Sequence, residues 1–538
     1  MSTGSPTPAF AAVQDLATRQ AHSPIADMFS EDAERVTRFT RRAAGLHLAT
    51  DKQRWTPEAL KALYAWAEER NLLTWRDQLF SMTPVNITEG RAAGHTALRS
   101  NGVPAAKKAA ETRARLKTLV DSARSGALLG QPVEAIVNIG VGGSGLGPKL
   151  VVNALKGPDS LPTTFAANVD GAELQEALKG LNPATTLVVL VSKTFTTLET
   201  MMNAEAVRSW FMSHLGEGAL AKHCVAATAA PERAEAWGLS RDNIFPFWDW
   251  VGGRFSLWSA AGMAIPLSLG WAAFDELLQG AEVMDTHVRD TDLEDNMAVH
   301  LALLDAWNRL LGASSRAVVP YASRLAYLPG FLQQLEMESN GKGVTTKNVA
   351  LEHPACPVVW GDVGTTGQHA FFQMLHQGLE KIPVEFILVA NSRDGHDGHQ
   401  KALLANGLAQ GAALLRGKSK SKVREELKAK GYNDQEIEHL TPHMVFEGDR
   451  PSTTLILDRL TPKRLGALLA LYEHKTALLG RLWGINPFDQ FGVELGKQMA
   501  RTLTPRLEGA RDPAFDPSTE ALLKVVTDMR QHERQEPA

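Results

Sequence analysis

Over residues 31–127 apolar positions recur at three- and four-residue steps, with Trp, Leu and Ala set among charged residues. That spacing puts the apolar side chains on one face of successive helices, and no strong strand signal interrupts it. The period changes at Glu134. Ala135-Ile136-Val137-Asn138-Ile139 is a short apolar, partly β-branched run that ends in glycines, and an apolar helix-like stretch follows from Pro148. This reads as strand, loop and helix. Further strands are predicted at 163–168, 186–191 and 225–228, separated by helix-length segments such as 173–179 and 198–210. Alternation of this kind builds a mostly parallel sheet with helices on both faces. After a helical stretch over 281–311 the same order restarts with strands at 317–321, 358–361 and 385–390, which gives a second α/β unit with its own sheet. A Gly, Lys and Ser cluster at 417–422 opens a short charged insertion, 463–503 is again helical, and a last helix is predicted near 519–531. The expected organisation is a helical N-terminal extension over 1–115, α/β domains over 116–285 and 286–510, and a C-terminal tail over 511–538.

One segment breaks the alternation. Residues 255–274 carry no charge over twenty positions, about the length that spans a bilayer. Pro266, Gly262, Gly270 and three serines interrupt it, and Arg254 and Asp275 bound it, so a buried helix is expected rather than a membrane span.

Composition narrows the function classes. The chain has 538 residues, 56 Lys plus Arg against 60 Asp plus Glu and a formal charge of -4, so no global field draws it to nucleic acid. Its two cysteines, Cys224 and Cys356, lie far apart and lack zinc-ligand spacing, which points to free thiols in a reducing compartment. The first eighteen residues have no basic flank followed by an apolar run, so no signal peptide is expected there. A reducing compartment is expected from these features, and export is not.

The candidate chemistry sits where strands run into helices. Gly140-Val141-Gly142-Gly143-Ser144-Gly145 exposes backbone amides at a helix start, which favours an anion. The same glycines match the dinucleotide pattern, with only Asp159 and Asp170 as loose partners for a ribose. Ser192-Lys193-Thr194-Phe195-Thr196-Thr197 crowds hydroxyls and an ammonium at another such turn, a set that suits a phosphate dianion. Thr196 and Glu199 also have capping-box spacing. Arg254 stands at the mouth of the uncharged segment and calls for an anionic partner, with Asp249 the local alternative.

In the second unit, Phe331 to Lys342 reads as a helix ending at Asn340-Gly341. Gln334 and Glu338 share a face, and a carboxylate in the last turn opposes the helix dipole, which raises its pKa and suits a base. Glu336 lies about 200° round the helix and is expected in solvent. His369 is expected at a helix start, where the dipole favours the neutral imidazole. Asp394-Gly395-His396-Asp397-Gly398-His399 has metal-like composition but reads as a polar turn. Gln490 and Lys497, seven apart, share a face if the segment is helical.

Together these motifs closely resemble the glucose-6-phosphate isomerase (phosphoglucose isomerase) family. The likeness is carried by GVGGSGLGP at 140–148, SKTFTTLET at 192–200, VGGRFSLWSA at 251–260, QQLEMESNGK at 333–342, GTTGQHAFFQ at 364–373, FEGDRP at 446–451 and DQFGVELGK at 489–497. Order and spacing agree over roughly residues 50–510. The resemblance implies two αβα sandwich domains of sugar-isomerase type and a cytoplasmic homodimer. It implies interconversion of glucose 6-phosphate and fructose 6-phosphate, a step of glycolysis and gluconeogenesis, with no metal or nucleotide cofactor. It further implies that Gly143, Ser144, Ser192, Lys193, Thr194 and Thr197 bind the sugar phosphate, with Gln334 and Gln490 also in the substrate site. His369, contributed by the partner subunit, and Lys497 would assist ring opening. Glu338 would move a proton between C2 and C1 through a cis-enediol, and Arg254 would stabilise the developing oxyanion. The chain departs from the family at Gly145, where Asp is common, and at Thr366, where Asn is common. A non-catalytic sugar-phosphate-binding regulator and an NAD-dependent dehydrogenase remain the alternatives, and activity on mannose 6-phosphate is left open.

Overall fold

The computed structural model describes residues 7–99, 102–510 and 514–533. The chain divides at Phe488 into two compact units, residues 1–488 and 489–538. In the larger unit the N-terminal part is not purely helical. Helices Pro8–Gln20 and Pro57–Glu69 flank an antiparallel hairpin of β1 (Thr40–Ala43) and β2 (Leu46–Ala49). Ala44 and Gly45 both take positive φ at its two-residue turn, the geometry a tight hairpin needs. Four residues per strand are too few to stand out as a period of two, which left the hairpin hidden in the helical pattern.

The first sheet contains β3 (Ala135–Ile139), β4 (Thr163–Ala166), β5 (Thr186–Val191), β6 (Cys224–Thr228) and β7 (Ile244–Pro246), all parallel, in the order β4-β3-β5-β6-β7. Successive side chains of β5 go to opposite faces. Leu187, Val189 and Val191 join the large central core, while Val188 and Leu190 join a separate cluster with Phe211 and Val207. Both faces are covered, which is why these strands read as unbroken apolar runs rather than alternating ones.

The second sheet contains β8 (Ser315–Tyr321), β9 (Val358–Trp360), β10 (Val384–Asn391) and β11 (Ser452–Arg459). Its order is β1-β2-β11-β10-β8-β9, with the last four mutually parallel and β2 antiparallel to β11. The N-terminal hairpin therefore completes the second sheet, far from it in sequence. Helix Pro462–Trp483 is buried almost all round and packs against helices Trp271–Asp290 and Met297–Leu310. These two helices replace the single stretch expected over 281–311, because Asn296 caps a new helix with its side chain.

Residues 255–274 are buried but do not form one helix. They pass through a turn at Ala260–Gly262 and the short helix Ala264–Leu269 before Gly270, at φ 85°, starts the next helix. Among the described residues no helix is long and apolar enough to cross a membrane. Both cysteines are free, and burial raises both thiols, Cys356 to about 12, so neither is poised as a thiolate.

The charged insertion at 417–422 opens helices Lys420–Ala429 and Asp434–Met444. In the smaller unit, helices Glu494–Leu507 and Pro517–Glu533 are joined by Arg506, which grips the Glu520 carboxylate at 2.9 and 2.6 Å.

Candidate active site

In the first sheet the strand order reverses between β3 and β5. Chain leaving the carboxyl ends of these two neighbours diverges and opens a crevice there, the usual ligand position of an open parallel sheet. Both glycine- and hydroxyl-rich loops line it.

After β3 the chain makes a single turn over Gly142–Ser144, held by Asn138 Nδ2 donating to the Ser144 carbonyl at 3.1 Å. Gly142 has φ 60°, and a Cβ there would stand 2.8 Å from Gln334 Nε2. A Cβ on Gly143 would stand 2.0 Å from the Gly253 carbonyl oxygen. The glycines thus let this loop seat directly on the Gly253-Arg254 turn and on Gln334. Gly145 is closed against Gly140, whose carbonyl oxygen would meet a Cβ at 2.6 Å, so the aspartate common in the family would need the loop to shift.

After β5, Phe195 adopts φ 52° and folds the hydroxyls together. Ser192 Oγ and Thr197 Oγ1 are 3.2 Å apart, and Thr196 Oγ1 donates to Thr194 Oγ1 at 2.8 Å. The expected capping box is not formed. Thr197, not Thr196, precedes helix Leu198–Leu215, and it makes no side-chain capping bond. Lys193 Nζ donates to the carbonyls of Asp249 and Val251, each at 3.2 Å, and lies 3.8 Å from the Asp249 carboxylate. Burial, with Arg91 adding to it, lowers the Lys193 pKa to about 8.

Arg254 is buried, and its partner is not Asp249. Nε donates to Ser339 Oγ at 2.6 Å, one terminal nitrogen donates to the Pro487 carbonyl at 2.8 Å, and the other lies 3.4 Å from Glu338 Oε2. Glu338 also accepts from Gln334 Nε2 at 3.1 Å. The two residues do share a face, although Gln333–Glu338 is π-helical, a widened turn often found at functional sites. Lys342 Nζ ties the end of this helix down by donating to the carbonyls of Glu338, Ser339 and Asn486. The Glu338 side chain keeps 20% of its surface exposed.

Glu336 is not in solvent. Its side chain is 1% exposed, 2.5 Å from Arg316 and 2.7 Å from Lys475 Nζ. The expectation failed because the π-helical turn alters the residue spacing around the axis and because Lys475 reaches it from a helix far along the chain. The same buried cluster holds Asp305 and Glu385 against Arg316, with the Tyr472 hydroxyl donating to Glu385. A second buried cluster lies beneath the Arg254 segment. Arg99 grips Asp285 at 2.6 and 2.7 Å and Glu473 at 2.7 Å, and Glu473 accepts from Trp258 Nε1. Burial pushes Glu473 up to about 7 even though Arg99 opposes it. The sequence signal for both clusters was Glu473-His474-Lys475, three ionisable residues in the middle of an apolar helix.

His369 is not at a helix start. It ends the short helix Gly364–Gln368, is exposed, and has no side-chain partner among the described residues. Gly364 packs on the Tyr321 ring, which fixes where that helix can run. Asp394 is gripped by Arg324 at 2.9 and 2.5 Å rather than free for a metal. Asp170 accepts from Ala172 N as a helix cap, so its carboxylate already has a local role. Gln490 and Lys497 belong to the smaller unit. They do not share a continuous helix: Gln490 precedes the turn Phe491–Val493, and Lys497 lies in helix Glu494–Leu507, 3.1 Å from Glu494.

The family profile for phosphoglucose isomerase matches residues 50–523. The chain belongs to the phosphoglucose isomerase family. It is 46% identical over 513 residues to a glucose-6-phosphate isomerase of Caulobacter sp. (strain K31), covering 93% of this chain and 95% of that one. It is 46% identical over 523 residues to the glucose-6-phosphate isomerase of Burkholderia pseudomallei (strain 1106a), covering 95% of each. The crystal structure of a glucose-6-phosphate isomerase from Chlamydia trachomatis superposes with a TM-score of 0.84 at 31% identity, covering 97% of this chain and 99% of that one.

Proposed function

We propose that this family member interconverts glucose 6-phosphate and fructose 6-phosphate, with Glu338 carrying the proton. The observation that carries this reading is the Glu338 carboxylate, partly open, beside the buried Arg254 guanidinium and against Gln334. A C–H bond next to a carbonyl loses its proton only when a base and a cation act together, because the electrons left behind must settle on oxygen.

In this reading the phosphate is held by the backbone of Gly143 and by Ser144, Ser192, Lys193, Thr194 and Thr197. The crevice between β3 and β5 and the hydroxyls gathered there support it. His369 and Lys497 assist ring opening by proton transfer to and from the ring oxygen and the anomeric hydroxyl. Glu338 takes the proton from C2 of the open aldose, giving a cis-enediol(ate), and returns it to C1, giving the ketose. Arg254 balances charge on the intervening oxygens. Gln334 and Gln490 complete the sugar contacts. His369 acts across a homodimer interface, which accords with its exposure and its lack of a side-chain partner among the described residues.

A coupled assay of the purified chain with fructose 6-phosphate, followed by mannose 6-phosphate, tests the reading. Turnover of the first is expected. No turnover, with saturable binding retained, would make the chain a sugar-phosphate-binding regulator; micromolar binding of NAD would favour a dehydrogenase.

A further inference from the structure

Strand β3 is apolar except at Asn138, which is fully buried between Val137 and Ile139. Its register partners are Phe165 on β4 and Val189 on β5, and side chains directly opposite each other in a sheet share a face. Val189 belongs to the central core and Phe165 packs against that core, so the Asn138 amide enters an apolar layer. A primary amide there costs free energy unless both its ends are bonded. One end is bonded: Nδ2 donates to the Ser144 carbonyl at 3.1 Å. The other, Oδ1, is buried and has no hydrogen-bond partner among the described residues. A leucine of nearly the same shape would remove that unpaired oxygen, so stability by itself does not account for an asparagine at this position.

What the amide holds is the glycine-rich loop. Ser144 stands outside the ladder of helix Leu146–Leu155, whose first bond runs from Lys149 N to the Gly145 carbonyl at 2.9 Å. The Ser144 carbonyl must therefore find a donor elsewhere. The amides of the turn close it internally, Ser144 N on the Val141 carbonyl at 3.2 Å and Gly145 N on the Gly142 carbonyl at 2.9 Å, and neither bond reaches the sheet. Asn138 supplies that tie. Glycine at 140 lets Ser144 settle on the end of the strand, since a Cβ there would stand 2.8 Å from Ser144 Cβ and 3.0 Å from its carbonyl oxygen. A carbonyl oxygen left free beside a phosphate dianion would repel it. Bonded to a buried amide, this one is held toward the strand.

We propose that Asn138 is a positioning residue for phosphate binding, which sets the Gly142–Ser144 turn through the Ser144 carbonyl so that the Gly143 backbone and the Ser144 hydroxyl face the phosphate. The inference rests on the reading of the crevice as the sugar-phosphate site, and it adds to that site a residue that touches no ligand.

The test compares the parent with Asn138→Leu, which keeps the shape, and Asn138→Ala, which cannot overfill the layer. KM and kcat for fructose 6-phosphate, the inhibition constant of inorganic phosphate and the melting temperature are measured for each. KM and the phosphate constant are expected to rise together by about three- to tenfold, the size of one lost hydrogen bond, with kcat per folded chain within about threefold of the parent. A purely structural role moves other quantities. It lowers the melting temperature and the folded fraction, hence the apparent kcat, and leaves KM and the phosphate constant as they were. That pattern overturns the proposal, as does a raised KM with an unchanged phosphate constant, or the failure of both variants to fold. A parent that binds fructose 6-phosphate without turning it over refutes the isomerase reading alone, because dissociation constants then carry the same comparison. A parent that binds neither ligand removes the phosphate site and the proposal with it.

Discussion

Glu336 and Glu338 stand two residues apart and are given opposite work by their surroundings, so replacing each by glutamine separates catalysis from stability. In Glu338→Gln the new amide oxygen can still accept from Gln334, now 3.1 Å from the carboxylate, and the side-chain length is unchanged. What disappears is the base. Loss of a general base costs about 10²- to 10⁴-fold in turnover, or about 2.7 to 5.5 kcal/mol of barrier. In Glu336→Gln the cost falls on the fold. Three carboxylates, Asp305, Glu336 and Glu385, face two cations, Arg316 and Lys475. Removing one negative charge therefore leaves no cation in excess, and the heavy penalty of an orphaned buried charge does not apply. One charge-assisted hydrogen bond is lost and an amide N–H is turned toward a cation, which costs about 1.5 to 3 kcal/mol. Turnover in a coupled assay with fructose 6-phosphate, urea unfolding and uptake of solvent tritium into product measure the two effects. Turnover of Glu338→Gln within tenfold of the parent would refute the assignment of the base. Unchanged stability of Glu336→Gln would refute the buried pairing.

Arg254→Lys should lower kcat at least tenfold with a smaller change in KM, because one ammonium cannot reach Ser339, Pro487 and Glu338 together and its charge partner develops mainly in the transition state; a pure KM effect would contradict that role. Lys193 titrates near 8 in the folded chain against 10.5 ordinarily. Between those values the unfolded chain binds more protons, so the contribution of this group to stability rises with pH there, while phosphate affinity falls as pH passes 8. A KM for fructose 6-phosphate that is flat through pH 8 would count against Lys193 as a phosphate ligand. If His369 acts across a two-fold interface, refolding Glu338→Gln together with His369→Ala at equal amounts should restore about a quarter of the parental activity, because half of the dimers are hybrids with one intact site each. No recovery would assign the histidine to its own chain.

The legible part of this protein was whatever its local pattern encodes. Apolar runs ending in glycines or hydroxyls marked β3, β5, β8 and β10, and with them the loops at 140–145 and 192–197. Gln334 and Glu338 were legible as a pair because their spacing alone brings them together on a helix. Signals shorter than a turn or longer than a domain were not. The four-residue strands β1 and β2 carry too few positions to show a period, and only their pairing with β11 makes them part of a sheet. The N-terminal pattern likewise gave no sign that Arg70 meets Arg481 across 411 positions.

Charge partners divide the same way. The sequence by itself determined which groups could do chemistry, since an arginine, a glutamate and a lysine carry their charge wherever they are. Only the tertiary structure decided their tasks. It turned Arg254 from Asp249 to Glu338, buried Glu336 against Arg316 and Lys475, and left His369 exposed between two short helices, at the end of the first rather than at its start. The physical reason is that burial and Coulomb interactions depend on distance through space. Residues 20, 84 or 139 positions apart supply the contacts that set each group's state, and no local window contains them.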